Sequence, residues 1–305
     1  MTNKIEEYTI TFKDYKVRVL NIGASVIEYS YNGHNIVLNY ENLESYYDND
    51  IYLGSIIGRT AGRIKDTNIN GYNIPNNYLN TSNIHGNNIH HKIFSVTKTS
   101  DNTLECILND NEGDFPGNAL IKVIYTLTED GLSLEINASS DKETLLNLTN
   151  HMYFNLNPTS DIMNHTLKID SDYYSHLDEN MFALDDRQVE GTSFDFRNPR
   201  QIFTSFDLPD NDQFNITKFI DHPFKLNGNI VYQNNKYKLE VESNSDYVIV
   251  YTGNYISNTK HKINYGASKD YYGICFETQK KPGNIEPVDN YYLKTMYKLS
   301  KKEEE

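Results

Sequence analysis

Long hydrophobic runs are missing from this 305-residue chain. A membrane-spanning helix needs about 20 predominantly apolar residues in a row, so neither a membrane span nor a membrane partner is expected. The stretch Met1-Thr2-Asn3-Lys4-Ile5-Glu6-Glu7 is polar and partly acidic. It lacks the apolar core of a secretory signal, and a cytoplasmic protein is the expectation. Cysteine is scarce. Cys106 and Cys275 stand far apart without metal-type spacing, which argues for two reduced core thiols and against a disulfide framework or a zinc site. Positive charge is short as well: 28 basic against 42 acidic side chains give a net −14. Such a surface repels phosphate backbones, and Lys280-Lys281 and Lys301-Lys302 are isolated pairs. Nucleic acid is therefore not an expected partner. No window sustains a 3.6-residue apolar repeat over three turns; Asn42 to Tyr47 could form one short helical turn. The Gly-x-Ser-x-Gly elbow, the Walker loop and Gly-x-Gly-x-x-Gly are all absent.

What the chain does have is strand and hairpin pattern. Val26 to Tyr31 meets His34 to Leu38 across Asn32-Gly33, a type I′ turn pair. Ile69-Asn70-Gly71-Tyr72 repeats the device. Val123, Tyr125 and Leu127 alternate with polar residues, Asp130-Gly131 turns the chain, and Leu132, Leu134, Ile136 and Ala138 alternate on the return. Tyr237 to Val241 and Tyr247 to Tyr251 read as another strand pair. No linker, composition break or internal repeat interrupts this. One all-β domain over 1–305 is expected, with 299–305 as a solvated tail.

Several segments carry more chemistry than a sheet requires. Asn147-Leu148-Thr149-Asn150-His151-Met152-Tyr153-Phe154-Asn155 sets one histidine among amides and rings. That setting suits a site that holds a polyhydroxylated ligand and moves a proton. Gly54 to Ile64 places Arg59 and Arg63 among three glycines, where backbone and planar donors can approach ligand oxygens. His85 lies in the polar turn Asn83 to Asn87. With His90 and His91 it forms a histidine-rich loop, but no carboxylate or cysteine sits at a ligand spacing, so no metal is expected. Asp221 is wedged between apolar residues, costly unless hydrogen-bonded or used. Glu277 ends an apolar strand, a rigid platform for a carboxylate.

Taken in order, these pieces are similar to the aldose 1-epimerases, the galactose mutarotases. The carriers are Gly58 to Ile64, Ile84-His85-Gly86, Phe115 to Asn118, Asn147 to Leu156, Asp178-Glu179-Asn180, Gly191 to Phe196, Asp221 to Phe224, Tyr251-Thr252-Gly253-Asn254 and Glu277-Thr278-Gln279. The resemblance implies a β-supersandwich of large, mostly antiparallel sheets, with a monosaccharide in a cleft over one sheet and no cofactor or metal. It implies Glu277 as general base and His151 as general acid, with His85, Arg63 and Asp221 on the sugar. It leaves monomer or homodimer open. Ile249 stands where the family usually has a glutamine, which bears on hydroxyl specificity. Such a pair works if the site raises the glutamate modestly and nearby acids keep the histidine protonated. The alternatives are a hexose-phosphate 1-epimerase, which would need a basic cluster for the phosphate, with Arg59 and Arg63 as the candidates, and a non-catalytic carbohydrate-binding protein. A glycosidase would need two carboxylates and would leave His151 without a role.

Overall fold

The Asn32-Gly33 turn forms as its residues dictate. Both have positive φ, 50° and 76°, as a type I′ turn demands, and Tyr31 pairs with His34 across it. The structure is a computed structural model that describes residues 4–65, 67–69, 72–86, 88–207, 212–283 and 285–303. The expected turn at Asn70-Gly71 lies outside the described residues, as do Asn87, Asn284 and the last two residues of the tail. The long hairpin Ala119–Thr128 and Gly131–Thr144 is present, but its turn sits one residue earlier than expected. Thr128 pairs with Gly131, leaving Glu129-Asp130 as the loop. A type I turn favours glycine at its fourth position, and Gly131 occupies it.

Every pairing between named strands is antiparallel. A nine-stranded sheet runs in the order Ser95–Ser100, Thr103–Asp110, Ala119–Thr128, Gly131–Thr144, Val288–Lys301, Tyr237–Ser243, Ile230–Gln233, Thr166–Ile169, Arg200–Gln201. A five-stranded sheet runs Ala183–Gln188, Tyr173–Leu177, Asp221–Lys225, Tyr247–Tyr251, Cys275–Gln279. A four-stranded sheet covers Glu7–Phe12, Tyr15–Leu20, Val26–Tyr31 and His34–Asn35. The expected all-β class is what the chain adopts, and no described helix is long and apolar enough to cross a membrane. The turn expected near Asn42 is a 3₁₀ helix, Leu43–Tyr47, capped by the Asn42 side chain.

Two expectations need correction. Tyr237–Ser243 and Tyr247–Tyr251 do not pair with each other. The first lies between Ile230–Gln233 and Val288–Lys301, the second between Asp221–Lys225 and Cys275–Gln279. Two sheets that share a core must exchange chain somewhere, and the short link at 244–246 does so. The Asn244 N–H donates to the Lys294 carbonyl in one sheet, and the Asp246 carbonyl accepts from the Leu226 N–H beside the other. The tail also begins later than 299. Val288–Lys301 is one continuous strand and Leu299 is buried in the core.

Alternation places the core and leaves a second face free. Ile121, Val123, Tyr125, Leu134 and Ile136 of the large sheet join Phe224, Val248, Val250 and Phe276 of the five-stranded sheet in one buried cluster. The intervening residues Asp221, Pro223, Ile249, Tyr251, Cys275 and Glu277 therefore point the other way.

One buried ion pair fixes the loop that reaches this second face. Arg59 is fully buried; its Nε donates to Asp110 Oδ2 at 2.6 Å, and its terminal nitrogens donate to the carbonyls of Asp110, Pro116 and Gly117 at 2.7, 2.8 and 3.0 Å. Lys92 also bonds Asp110. Removing one member of a buried, hydrogen-bonded pair costs about 3–5 kcal/mol. Arg59→Leu is expected to lower the unfolding free energy by that amount in urea titration, and an unchanged midpoint would refute the anchoring role.

Candidate active site

The second face of the five-stranded sheet is the floor of a cleft. Glu277 and Ile249 are directly opposed on neighbouring strands, as are Ile249 and Pro223, and Tyr251 is opposed to both Cys275 and Asp221. Opposed residues project to the same side, so the pairing alone delivers the two carboxylates to one surface. Arg63, His85 and His151 line the cleft across from this floor, together with Tyr52, Tyr153 and Tyr255. All five site residues expected from the sequence line this one cavity.

His151 follows the two-residue strand Thr149–Asn150, which pairs with Ile56–Ile57. Its N–H donates to the Ser55 carbonyl at 2.9 Å, and its own carbonyl accepts from Gly54 at 3.0 Å. The asparagines around it bind backbone rather than ligand. Asn150 Nδ2 donates to the Gly54 carbonyl at 2.8 Å, and Asn155 Nδ2 reaches the carbonyls of Ser160 and Tyr272, each at 2.8 Å. Asn147 ties the arginine loop to the end of the glutamate strand. Its carbonyl accepts from Ala61 N–H at 2.6 Å, and its Oδ1 accepts from Lys280 N–H at 2.9 Å.

His85 has a left-handed backbone, φ 55°. The next residue must then be glycine, because a Cβ on Gly86 would lie 2.5 Å from the Gly58 carbonyl carbon and the Arg59 nitrogen. The His85 Nδ1 accepts the Gly62 N–H at 3.2 Å. Burial first, then the cationic forms of His151 and Arg63, hold its pKa well below the usual value. The ring is neutral, with its proton on Nε2. His91 turns away, its Nε2 against the Asp48 carbonyl at 2.8 Å. Arg63 donates to Asp221 Oδ2 at 3.4 Å and lies over the Tyr78 ring at 5.1 Å, and its Nε is buried without a partner. Arg59 does not join it; the two arginines diverge, one into the core and one into the cleft.

His151 Nε2 and Glu277 Oε1 are 3.4 Å apart, and both side chains are about 95% buried, at 5% and 4% exposure. Burial pushes the Glu277 carboxyl well up, the nearby Asp221 adds to this, and Arg63 opposes it. Burial pushes His151 down to about 4. The expectation of a protonated histidine and a modestly raised glutamate is therefore corrected, since burial lowers the one and raises the other well above its usual range. Removing both groups from water disfavours either charge, and burial moves the imidazole and the carboxyl each toward its neutral form.

Sequence reasoning missed Cys275. Its Sγ lies 3.5 Å from His151 Nδ1, and burial keeps it a thiol by raising its pKa well above the usual value. The signal was its place two residues before Glu277, on the same face. The lining tyrosines were missed because 25 tyrosines are scattered through the chain. His85, His151 and Glu277 also bring one ligand atom each within 4.8 Å of one another. That set could hold a divalent ion, an arrangement that sequence spacing does not reveal.

A family model described as Aldose 1-epimerase matches residues 6–288. An aldose 1-epimerase of Haemophilus influenzae is 33% identical over 258 residues, 79% of this chain and 75% of that protein. Human galactose mutarotase is 29% identical over 292 residues, 87% of this chain and 84% of that one. The crystal structure of galactose 1-epimerase from Lactobacillus acidophilus NCFM is similar with a TM-score of 0.85 at 27% identity, covering 98% of this chain and 99% of that one. An aldose epimerase homologue from C. elegans shares the fold, with a TM-score of 0.86 at 22% identity and coverage of 98% and 99%. A match that runs through every strand of the cleft floor and the loops around it places the chain in the aldose 1-epimerase family.

Proposed function

We propose that the enzyme, an isomerase with mutarotase activity, interconverts the α and β anomers of a free aldohexose such as galactose or glucose. The observation that carries this reading is the contact of His151 with Glu277 in a water-poor cleft. A carboxylate takes the proton of the anomeric hydroxyl as an imidazolium gives one to the ring oxygen. The C1–O5 bond breaks, and an open-chain aldehyde remains between carboxylic acid and neutral imidazole. Rotation about C1–C2 turns the other aldehyde face to the ring hydroxyl. Closure returns the proton from that hydroxyl to His151 and from Glu277 to the former carbonyl oxygen.

The protonation state of the buried pair fits this cycle. Neutral imidazole beside carboxylic acid is the state that accompanies the open-chain sugar. The ring-opening state, carboxylate beside imidazolium, has the same proton count and needs stabilising charge, which Arg63 supplies to Glu277. His85 Nε2–H and the unpartnered Arg63 Nε offer donors to sugar oxygens, and Asp221 offers an acceptor. Among the described lining residues Arg63 is the one cationic side chain, which favours an uncharged sugar over a phosphorylated one.

Positioned proton transfer contributes about 10²–10⁴ in rate. Glu277→Gln is expected to lose that much anomer exchange on galactose or glucose, followed by polarimetry or NMR exchange; wild-type rates would sink the assignment. The pH profile of kcat/KM checks the pair itself. As pH falls through about 4, His151 takes a second proton and no base is left. On the alkaline side activity persists above the ordinary carboxylate range and ends where Glu277 loses the only proton. An acid limb centred on the ordinary histidine value of 6.5 would contradict this. Phosphorylation is expected to lower kcat/KM on glucose by about tenfold or more, since the phosphate would meet Asp221 and Glu277 with a single cation to offset them; equal rates on glucose and glucose 6-phosphate would contradict the uncharged substrate.

A further inference from the structure

The two histidines nearest Glu277 differ in what lies at Nδ1. We propose that Cys275 is a positioning residue for the proton transfer: its sulfur accepts the His151 Nδ1 proton, which leaves Nε2 as the nitrogen that exchanges protons with the sugar. This rests on the acid–base reading above, in which His151 is the general acid.

The imidazole of His151 spans two residues of one strand. Its Nε2 lies 3.4 Å from Glu277 Oε1, and its Nδ1 lies 3.5 Å from Cys275 Sγ. Residues two apart on a strand project to the same side, so the register that aims the carboxylate aims the sulfur too. Paired backbone bonds hold the histidine segment against that strand. Phe154 N–H donates to the Ile274 carbonyl at 2.7 Å, and Ile274 N–H donates to the Phe154 carbonyl at 2.9 Å. Cys275 is fully buried and is not among the residues that line the cleft. It acts on the sugar only through His151.

A neutral imidazole carries its proton on one nitrogen, and the bond made by one nitrogen decides the state of the other. At His85 the Gly62 N–H occupies Nδ1, which leaves the proton on Nε2. That ring can donate to a sugar oxygen but cannot take a proton there. His151, 5.6 Å away between ring centroids, must do both at Nε2. It therefore needs a proton held at Nδ1 in both halves of the cycle. Two acceptors serve that nitrogen. The His151 carbonyl, which also takes the Gly54 N–H, favours a ring proton, and only Nδ1 lies near a histidine's own backbone. The Cys275 sulfur is the second. Burial, then the charges of Glu277 and Asp221, keep it a thiol, a weak acceptor that does not compete for the proton. Tyr153 and Tyr251 flank the ring, but their hydroxyls are engaged elsewhere, with the Ile51 carbonyl and the Tyr255 N–H.

The competing account is that Cys275 only fills space, as buried cysteines do. Serine and valine separate the two, since serine keeps an acceptor and valine keeps bulk without one. In anomer exchange on galactose, Cys275→Val is expected to lower kcat by about tenfold with KM within about twofold, the worth of one hydrogen bond. Cys275→Ser is expected to keep kcat within about threefold of wild type. Equal rates in the two variants, or a loss confined to serine, mark a packing role and overturn the proposal. Nitrogen-15 NMR of histidine-labelled wild type reads the tautomers directly, at a pH where both rings are neutral. The expected result is Nδ1–H on His151 and Nε2–H on His85. An Nε2–H tautomer on His151 overturns the proposal, and it does so even if neither variant folds. If Glu277→Gln abolishes exchange while serine and valine behave alike, this inference falls and the acid–base reading stands. If wild type accelerates no anomer exchange, both fall.

Discussion

A strand buried on both faces has to suit two surroundings at once. Cys275–Gln279 is such a strand, with every residue buried. Its odd positions carry the chemistry and its even positions carry the packing. Phe276 packs with Phe154 and Tyr232, their ring centroids 6.0 and 5.8 Å away, and Thr278 bonds Thr295 at 2.6 Å across to the large sheet. Glu277 is held in place by what its neighbours do on the far side. Because the alternation has a period of two, a slip of one residue would turn the carboxylate into the core. The pairing with Tyr247–Tyr251 fixes the register, and through it the positions of Ile249 and Tyr251 as well.

The same burial that positions the pair sets its protons. In water a carboxyl is charged at neutral pH and an imidazole is divided between its charged and neutral forms. Inside the cleft both charges are disfavoured, and each group is moved toward its neutral form. Arg63 and Asp221 sit close enough to adjust that balance in opposite directions, and a bound sugar changes it again by replacing water with fixed hydroxyls. The lining tyrosines pack against the imidazole, with Tyr153 at 5.0 Å and Tyr52 at 5.9 Å between ring centroids.

Much of this was legible from the residues alone, where local pattern decides structure. Asn32-Gly33 makes the turn it encodes, and the alternation through Val123 and Leu134 gives the core face. His151, Glu277, Arg63, His85 and Asp221 all line one cavity. What was not legible depends on distant contacts. The strands around 239 and 249 follow each other closely, yet enter different sheets, because their partners come from residues near 299 and 277. Arg59 looks like Arg63 in sequence and differs only because Asp110 and the 116–117 carbonyls are waiting for it. The proton balance of His151 follows from desolvation, which a list of neighbouring residue types cannot supply.

The place of Val288–Lys301 in the large sheet has a consequence for synthesis. This strand joins Gly131–Thr144 to Tyr237–Ser243, and Leu132 pairs with Tyr297. A ribosome delivers the first of these partners long before it delivers the strand that completes them. Until then Gly131–Thr144 presents a long open edge, with Leu132, Leu134 and Ile136 behind it, and such edges invite pairing with other chains. Its exposed end carries Asp141, Lys142 and Glu143, and charge on an open edge discourages that pairing. The emerging chain thus has its own protection against aggregation during the interval before its central strand arrives.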